Sequence, residues 1–377
     1  MPISENSPAV PGVTVAIVGA GLSGFYAARL LHAAGVQFQI LEARDRVGGR
    51  ILSVDEAGRP SEDGFDLGPS WFWPKMQPAM SALVEELGLS GFRQFSEGDV
   101  VFERFSREGP LRHPGPRQEP QSIRLVGGTA ALVRALLAGL PEGCIRCNAR
   151  VTRMTLAEDG VRLTIARSSG GEEDMRVSHV IMAVPPRLLE ATVGFVPALD
   201  PSTARRWRET PTWMAPHAKF FALYERPFWR EAGLTGTAQS MVGPMMEIHD
   251  ATTASGQPGL FGFVGMGPDQ RAAVGEAALT RACLEQFARI FGPQARQPRA
   301  TLYKDWATDP FTATPADRGF TGHPTPAGTG WVTGAWHQRL AMAGSETSPT
   351  EPGFLAGAVE AARRAVSDTL ERIRPSG

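Results

Sequence analysis

The regular part of the chain opens on a short β-branched run, Val13 to Val18 ("VTVAIV"), bounded by glycine. Such a run predicts a buried strand. The apolar positions then take a helical period over Leu22 to Ala34, with Gly35 as the stop, and return to a strand in "VQFQILE", which ends at Glu42. The order is β-α-β. Residues 71–125 change character: they are rich in Pro, Trp, Phe and Arg, with one helix at "PAMSALVEELGL". Gly127 and Gly128 open a helix through Leu137, and "CIRCNARVTRMTL", "GVRLTIARS" and "DMRVSHVIMAVPP" predict three strands separated by turns. A polar helix is expected over Ala198 to Thr210, and strands over 217–225, 239–249 and 259–266. "ALTRACLEQFARIFG" is amphipathic, with Leu279, Cys283, Phe287 and Ile290 on one stripe, and "GFLAGAVEAARRAVSDTLERI" is the closing helix.

This mixture of β-α-β and meander strands predicts an α/β, two-lobed chain: a Rossmann-like domain interrupted by a mixed-sheet domain. We expect residues 1–70, 126–200 and 311–377 in the first, and 71–125 and 201–310 in the second. A length of 377 residues fits two domains.

The chemistry begins at Gly19-x-Gly21-x-x-Gly24, which follows a predicted strand and opens a helix. Gly19 permits the tight turn, Gly21 lets a pyrophosphate touch the backbone, and Gly24 lets helix and strand pack closely. The helix N-terminus offers N–H donors to the phosphates. Glu42, 18 residues after Gly24, suits a ribose hydroxyl pair and disfavours a 2′-phosphate, hence NADP. "LEARDRVGGR" then brackets Gly48-Gly49 with Arg44 and Arg50, guanidinium groups suited to a second approach to the pyrophosphate.

Composition narrows the partners. A net charge of −1 gives no footprint for nucleic acid or an anionic membrane. No run approaches the roughly 20 apolar residues of a membrane span. The polar start "MPISENSPAVPG" has no signal-peptide pattern, and three cysteines suit a reducing compartment, so a cytoplasmic location is expected. Cys144 and Cys147 form a CxxC. On one strand they would face opposite ways, and no second Cys/His pair stands at ligand spacing, so no metal site is expected.

Only three residues are lysines, Lys75, Lys219 and Lys304, although Lys and Arg together number 38. Lys219 falls within an apolar strand pattern, "AKFFALY". Alternation puts His217, Lys219 and Phe221 on one face, and Ala218, Phe220 and Ala222 on the other. A buried ammonium needs solvation or a partner. The alternative is an edge-strand lysine that guards against aggregation. In "MEIHDA", Met246, Ile248 and Asp250 alternate with Glu247 and His249. That pattern fits a strand ending in an Asp cap better than a proton relay.

Taken together, "VAIVGAGLSGFYAARLL", "LEARDRVGGR", "DLGPSWFW", "RLVGGTAAL", "VIMAVPPRLL", "AKFFALYERPFW" and "LAMAGSETSPTEPGFLAGAVEAARRA" resemble the flavin-dependent amine oxidase superfamily over most of the chain. The resemblance implies FAD held by Gly19, Gly21, Gly24, Glu42, Arg44, Gly49 and Arg50 at its ADP half. It implies Gly68 and Ser70 beside the flavin, Val151 at the adenine, and Ser345 and Glu346 at the ribityl and pyrophosphate. Leu355 would open a helix aimed at the ring, and Trp306 would lie beside it. Lys219 matches a strand lysine that reaches flavin N5 through a water. The implied reaction oxidises an amine to an imine, which hydrolyses to aldehyde or ketone and ammonia, while O2 becomes H2O2. Lys219 would be catalytic, and Phe354, Trp71 and His217 would meet the substrate, although a structural His217 is the plainer expectation.

Departures from the family's pattern matter. Its paired aromatic cage is reduced to Phe354, because "TATPAD" (312–317) has no ring; Trp71, Trp73, Trp331 or Trp336 could compensate. No cysteine stands in that region, so the FAD is expected to be non-covalent. The stretch after "GPSWFW" is short, which implies a small substrate lobe. Family precedent suggests a homodimer. A desaturase or porphyrinogen-type oxidase on the same scaffold, and a flavin-type fold that only binds a protein partner, are the competing readings.

Overall fold

The computed structural model describes residues 14–373 apart from 106, 116–118, 168–169, 320–321, 327 and 329. The first strand therefore begins at Thr14, and Val13 lies outside the described residues. A five-stranded parallel sheet runs in the order Leu340–Met342, His179–Met182, Thr14–Val18, Gln37–Leu41, Ile145–Arg146. Both faces are covered, which is why its central strands are continuously apolar rather than alternating. Val15, Ile17, Ile40 and Ile181 pack on the helices Leu22–Ala33 and Leu355–Ile373. Ala16, Val18, Leu41 and Met182 pack on the other side against Leu163 and Ile165 of a four-stranded sheet. Gly24 is dictated by this packing: a Cβ there would stand 2.0 Å from the Gly19 carbonyl oxygen.

A seven-stranded sheet forms a second layer. Its order is Ala300–Asp305, Ala218–Leu223, Gly259–Val264, Met245–Asp250, Leu234–Ser240, Asp99–Glu103, Leu111–Pro114. Ala218, Phe220 and Ala222 face the amphipathic helix Glu276–Phe291, whose Leu279, Cys283, Phe287 and Ile290 are buried as the stripe requires. Phe221, Phe261 and Leu302 face the opposite way, against Val54 and Phe65. The expected parity of the lysine strand holds. The edge-strand alternative fails, because Ala218–Leu223 is hydrogen-bonded on both sides.

Two predicted strands divide. The segment 144–156 splits into Ile145–Arg146 and Ala149–Ala157, which belong to different sheets. Asn148 makes the corner at φ 54°, a left-handed conformation that Asn tolerates. Cys144 is buried, Cys147 is partly exposed, and both are free thiols. The segment 239–249 is a hairpin, Leu234–Ser240 and Met245–Asp250. A register shift between Met245 and Glu247 turns Met246 outward, so Met246 does not share the buried face of Ile248 and Asp250. Asp250 is more than a cap: it accepts from Thr252 N at 2.8 Å, and also pairs with Arg230 and Trp229, each at 2.7 Å.

Candidate active site

One elongated cavity runs from the ends of the parallel strands to the lysine strand. Gly19, Gly21, Glu42, Arg44, Gly49 and Arg50 line one end; Lys219, Phe263, Trp306 and Phe354 line the other. At the first end, the helix Leu22–Ala33 starts at Gly21 with no side-chain cap, leaving its first N–H groups for a ligand. A Cβ on Gly21 would meet nothing nearer than Gly48 O at 4.0 Å, so the backbone is bare toward the cavity. Glu42 is buried, and its two oxygens accept from Ala20 N at 2.8 Å and Arg44 N at 2.9 Å. The carboxylate therefore fixes the glycine loop and the arginine loop against each other.

The arginines are held by residues distant in sequence. Arg44 donates to Asp309 at 2.7 Å and Thr312 at 2.9 Å, with its guanidinium 5.4 Å from the Phe311 ring centre. Arg50 forks onto Glu346 at 2.6 and 3.1 Å and donates to Ser345 Oγ and the Trp213 carbonyl, each at 3.0 Å. Bidentate pairing fixes the plane of the guanidinium and leaves it rigid beside the cavity. A helix N-terminus, a bare glycine wall, two positioned arginines and a carboxylate fit the pyrophosphate and ribose of a dinucleotide cofactor.

At the far end, Lys219 is buried to 2% exposure. Its Nζ donates to Gly68 O at 2.6 Å, Ser70 Oγ at 2.9 Å and Asp66 O at 3.2 Å. The rings of Phe261 and Phe263 lie 4.7 and 5.1 Å from it. Burial pulls its pKa from 10.5 to about 7, an effect that the Asp66 carboxylate opposes and Arg124 reinforces. At neutral pH this amine can therefore hold or release a proton. Beside it in the sheet, Lys304 lies over the Trp306 ring at 4.5 Å, and Trp306 Nε1 donates to Leu67 O at 3.1 Å.

Aromatic walls complete this end. Phe354 precedes the helix Leu355–Ile373, whose first turn lines the cavity through Leu355 and Ala358. Trp73 meets Phe354 edge-on at 6.2 Å, and Trp213 stands 6.4 Å from it. His323 packs between the last two, 4.2 Å from Trp213 and 4.8 Å from Phe354. Gly353 is required here: at φ 82° it lets Trp213 approach, and a Cβ would stand 2.6 Å from the Trp213 Cβ. Met214 also lines the cavity, in a left-handed conformation at φ 65° that costs a non-glycine residue about 1 kcal/mol or more.

Gly19, Gly21, Glu42, Arg44, Gly49, Arg50, Gly68, Ser70, Trp71, Lys219, Trp306, Ser345, Phe354 and Leu355 all line the cavity. Gly24 and Glu346 lie one layer behind, acting through Gly19 and Arg50. Val151 is buried in the core between the two sheets rather than on the cavity wall. His217 is not on the wall either; its ring lies 5.7 Å from Trp213, and burial and Arg271 hold its pKa down. Trp331 and Trp336 belong to that same core, so they do not replace the missing cage ring. Trp213, Met214, Phe311, Asp309 and His323 were not singled out from the sequence. Proximity to Lys219 in "TWMAPHAK" was the one signal available for the first two.

The fold and cavity define a two-layered dinucleotide-cofactor protein with a buried lysine on the cavity wall. The family model for flavin containing amine oxidoreductase matches residues 22–121 and 116–370. The chain belongs to that family, and is accordingly an FAD-dependent amine oxidoreductase. A probable flavin-containing monoamine oxidase A of Dictyostelium discoideum is 23% identical over 463 residues, covering 95% of this chain and 98% of its own. The putrescine oxidase of Kocuria rosea is 25% identical over 406 residues, covering 79% and 83%. Among solved structures, cyclohexylamine oxidase from Brevibacterium oxydans IH-35A superposes with a TM-score of 0.78 at 21% identity, covering 96% of this chain and 99% of that one. Putrescine oxidase bound to putrescine superposes at 0.77 with 22% identity, covering 97% and 100%. Among the described residues no helix is long and apolar enough to cross a membrane, and no group of three His, Cys, Asp or Glu could hold a metal ion.

Proposed function

We propose that the chain oxidises a small amine at the Lys219 end of the cavity, with FAD bound non-covalently along the Glu42–Arg50 end. The observation that carries this reading is a buried amine fixed by three acceptors on the wall of a dinucleotide cleft; burial, which pulls its pKa down to about 7, agrees with it. The chemistry supplied by bound FAD is acceptance of a hydride equivalent at N5 from the amine's α-carbon, with O2 as the final acceptor and H2O2 as its product. The imine released is hydrolysed by water to aldehyde or ketone and ammonia.

The chain's own residues bind, orient and exclude water. Gly19, Gly21 and the N-terminus of the helix Leu22–Ala33 would take the pyrophosphate, Arg44 and Arg50 would supply its countercharge, and Glu42 would take the ribose hydroxyls. Gly68 and Ser70, which seat Lys219, would border the cofactor ring. The first-turn N–H groups at Leu355 give the cavity a positive dipole end that would favour charge on a reduced ring. Trp71, Trp73, Trp213 and Phe354 form the apolar walls that orient the neutral amine and keep bulk water out. Lys219 Nζ holds or releases a proton at the reacting end.

The test is an anaerobic visible spectrum of the FAD-loaded protein before and after addition of amines. Bleaching by one class of amine supports the reading. A yellow protein that no amine bleaches sinks it and favours a desaturase-type substrate.

A further inference from the structure

Asp66 is buried beside the lysine, and the oxidation as proposed gives its carboxylate no task. Its backbone carbonyl accepts from Lys219 Nζ at 3.2 Å, but its side chain is anchored elsewhere. Oδ1 accepts from Ser53 Oγ at 2.6 Å, Thr129 N at 2.9 Å and Thr129 Oγ1 at 3.0 Å. Gly128, at φ 68°, makes room for it: a Cβ there would stand 2.8 Å from Oδ1. Oδ2 is buried and has no hydrogen-bond partner among the described residues. A proton on Oδ2 would have no acceptor, while Oδ1 collects three donors, so the arrangement is that of an ionised carboxylate.

A buried carboxylate calls for positive charge nearby. Two such groups face Asp66: Lys219, and the buried Arg124, which donates to the carbonyls of Thr252 at 2.7 Å and Ala251 at 3.2 Å. Burial pushes the Asp66 carboxyl above its ordinary range, and Arg124 is first among the groups that oppose this. On Lys219 the two act in opposite senses: Asp66 favours its proton and Arg124 disfavours it. The other charges around the pair are engaged elsewhere. Glu247 also favours the lysine's proton, but it is half-exposed and bonded to His249. Lys304, opposite Lys219 on the neighbouring strand, reaches Asp309 at 3.4 Å. His217, two residues before the lysine, is held towards its neutral form by burial and Arg271. Around Arg124, Asp250 pairs with Arg230 and Asp63 accepts from Thr253 at 2.9 Å.

We infer that Asp66 is a positioning residue for the reaction: its buried carboxylate, anchored by Ser53 and Thr129, is the counter-charge that keeps a proton available at Lys219. The role in turnover rests on the amine-oxidising reading; the charge coupling needs no substrate. A carboxylate anchored in this way favours the proton without taking any of the three hydrogen bonds of the ammonium, which go to Asp66 O, Gly68 O and Ser70 Oγ.

The test is an NMR titration of the FAD-loaded full chain, labelled with carbon-13 at the lysine Cε. Three lysines give three signals, and Lys219→Met identifies the one of interest. The expected result is a Lys219 midpoint at least about one pH unit lower in Asp66→Asn than in wild type, the scale of a lost opposite charge. The midpoint of the amine-bleaching rate against pH moves down with it. A merely structural role gives the opposite sign, because a loosened site admits water and moves the lysine up towards its ordinary 10.5. A midpoint that stays or rises overturns the inference and leaves amine oxidation standing. If no amine bleaches the flavin, amine oxidation itself fails, and the NMR midpoint still decides whether Asp66 holds the proton. Should Asp66→Asn not fold, Ser53→Ala takes its place. Loss of the 2.6 Å donor disfavours the ionised carboxylate, so the Lys219 midpoint falls by roughly half a pH unit; no fall overturns the inference.

Discussion

At the Glu42 end, the cavity wall is backbone and charge: bare glycines, a helix N-terminus and arginines within residues 19–50, braced by Asp309 and Glu346 from far along the chain. At the Lys219 end, the wall is side-chain surface gathered from separate segments, including Trp71, Trp73, Trp213, Phe263 and Phe354. On the proposed reading, the first end recognises groups that every molecule of the cofactor shares, so spacing and backbone conformation suffice. The second would fit a particular substrate, and rings on different segments can change without disturbing the sheet. The phosphate end should therefore fail abruptly when altered, and the aromatic end by degrees.

Gly24→Val should do the most damage. A Cβ at 2.0 Å from Gly19 O forces the helix Leu22–Ala33 off its strand, and the protein should lose bound FAD or fail to fold. FAD content after purification, together with the thermal midpoint, reads this directly. Second in size is Arg50→Ala, which leaves the fully buried Glu346 carboxylate without its partner. Uncovering a buried ion-pair partner costs about 3–5 kcal/mol, so FAD affinity and stability should fall together. A variant that kept FAD at wild-type affinity would break the contrast between the two ends.

The pH dependence of stability singles out Lys219. Its folded pKa of about 7 lies below the ordinary 10.5, so the unfolded chain binds the extra proton between those values. Stability conferred by wild type relative to Lys219→Met should therefore rise as pH is raised from about 7 towards about 10, and be flat below about 7. Denaturant midpoints of the two proteins across this range test the sign; a difference independent of pH would mean that the lysine is not desolvated.

Trp213→Ala should act through the substrate, raising KM several-fold while FAD remains bound, because the ring contacts Phe354 but only its backbone meets Arg50 and Glu346. Steady-state kinetics with a responsive amine separate the two effects. Ser70→Ala should be the mildest change. It removes one of three acceptors for Lys219 and costs about 1 kcal/mol, so turnover should drop only a few-fold.

The same contrast decides what the sequence could reveal. Gly19, Gly21, Gly24 and Glu42 announce themselves because each performs a backbone or charge task at fixed spacing, and the strand parity of Lys219 follows from alternation alone. Trp213 and Phe311 carry no such signal: they reach the cavity through a left-handed residue at Met214 and through loops whose course depends on tertiary packing, and His323 packs behind Trp213 and Phe354. Trp331 and Trp336 misled for the complementary reason. Tryptophan is as useful to a core as to a pocket, and both are buried between the parallel and four-stranded sheets. The division of segment 144–156 turned on one backbone angle at Asn148, and the bulge at Met246 on register, neither of which a hydrophobic pattern encodes.

The proposed role of Lys219 at the reacting end of the amine oxidation is tested most directly by the anaerobic rate at which an amine bleaches the bound flavin, measured in wild type and Lys219→Met with FAD content checked in both. A full flavin spectrum is expected in each protein, with a rate at least about ten-fold lower in the variant, the scale of a lost proton-transfer or positioning group. Bleaching of the variant at the wild-type rate, with FAD equally bound, would contradict it.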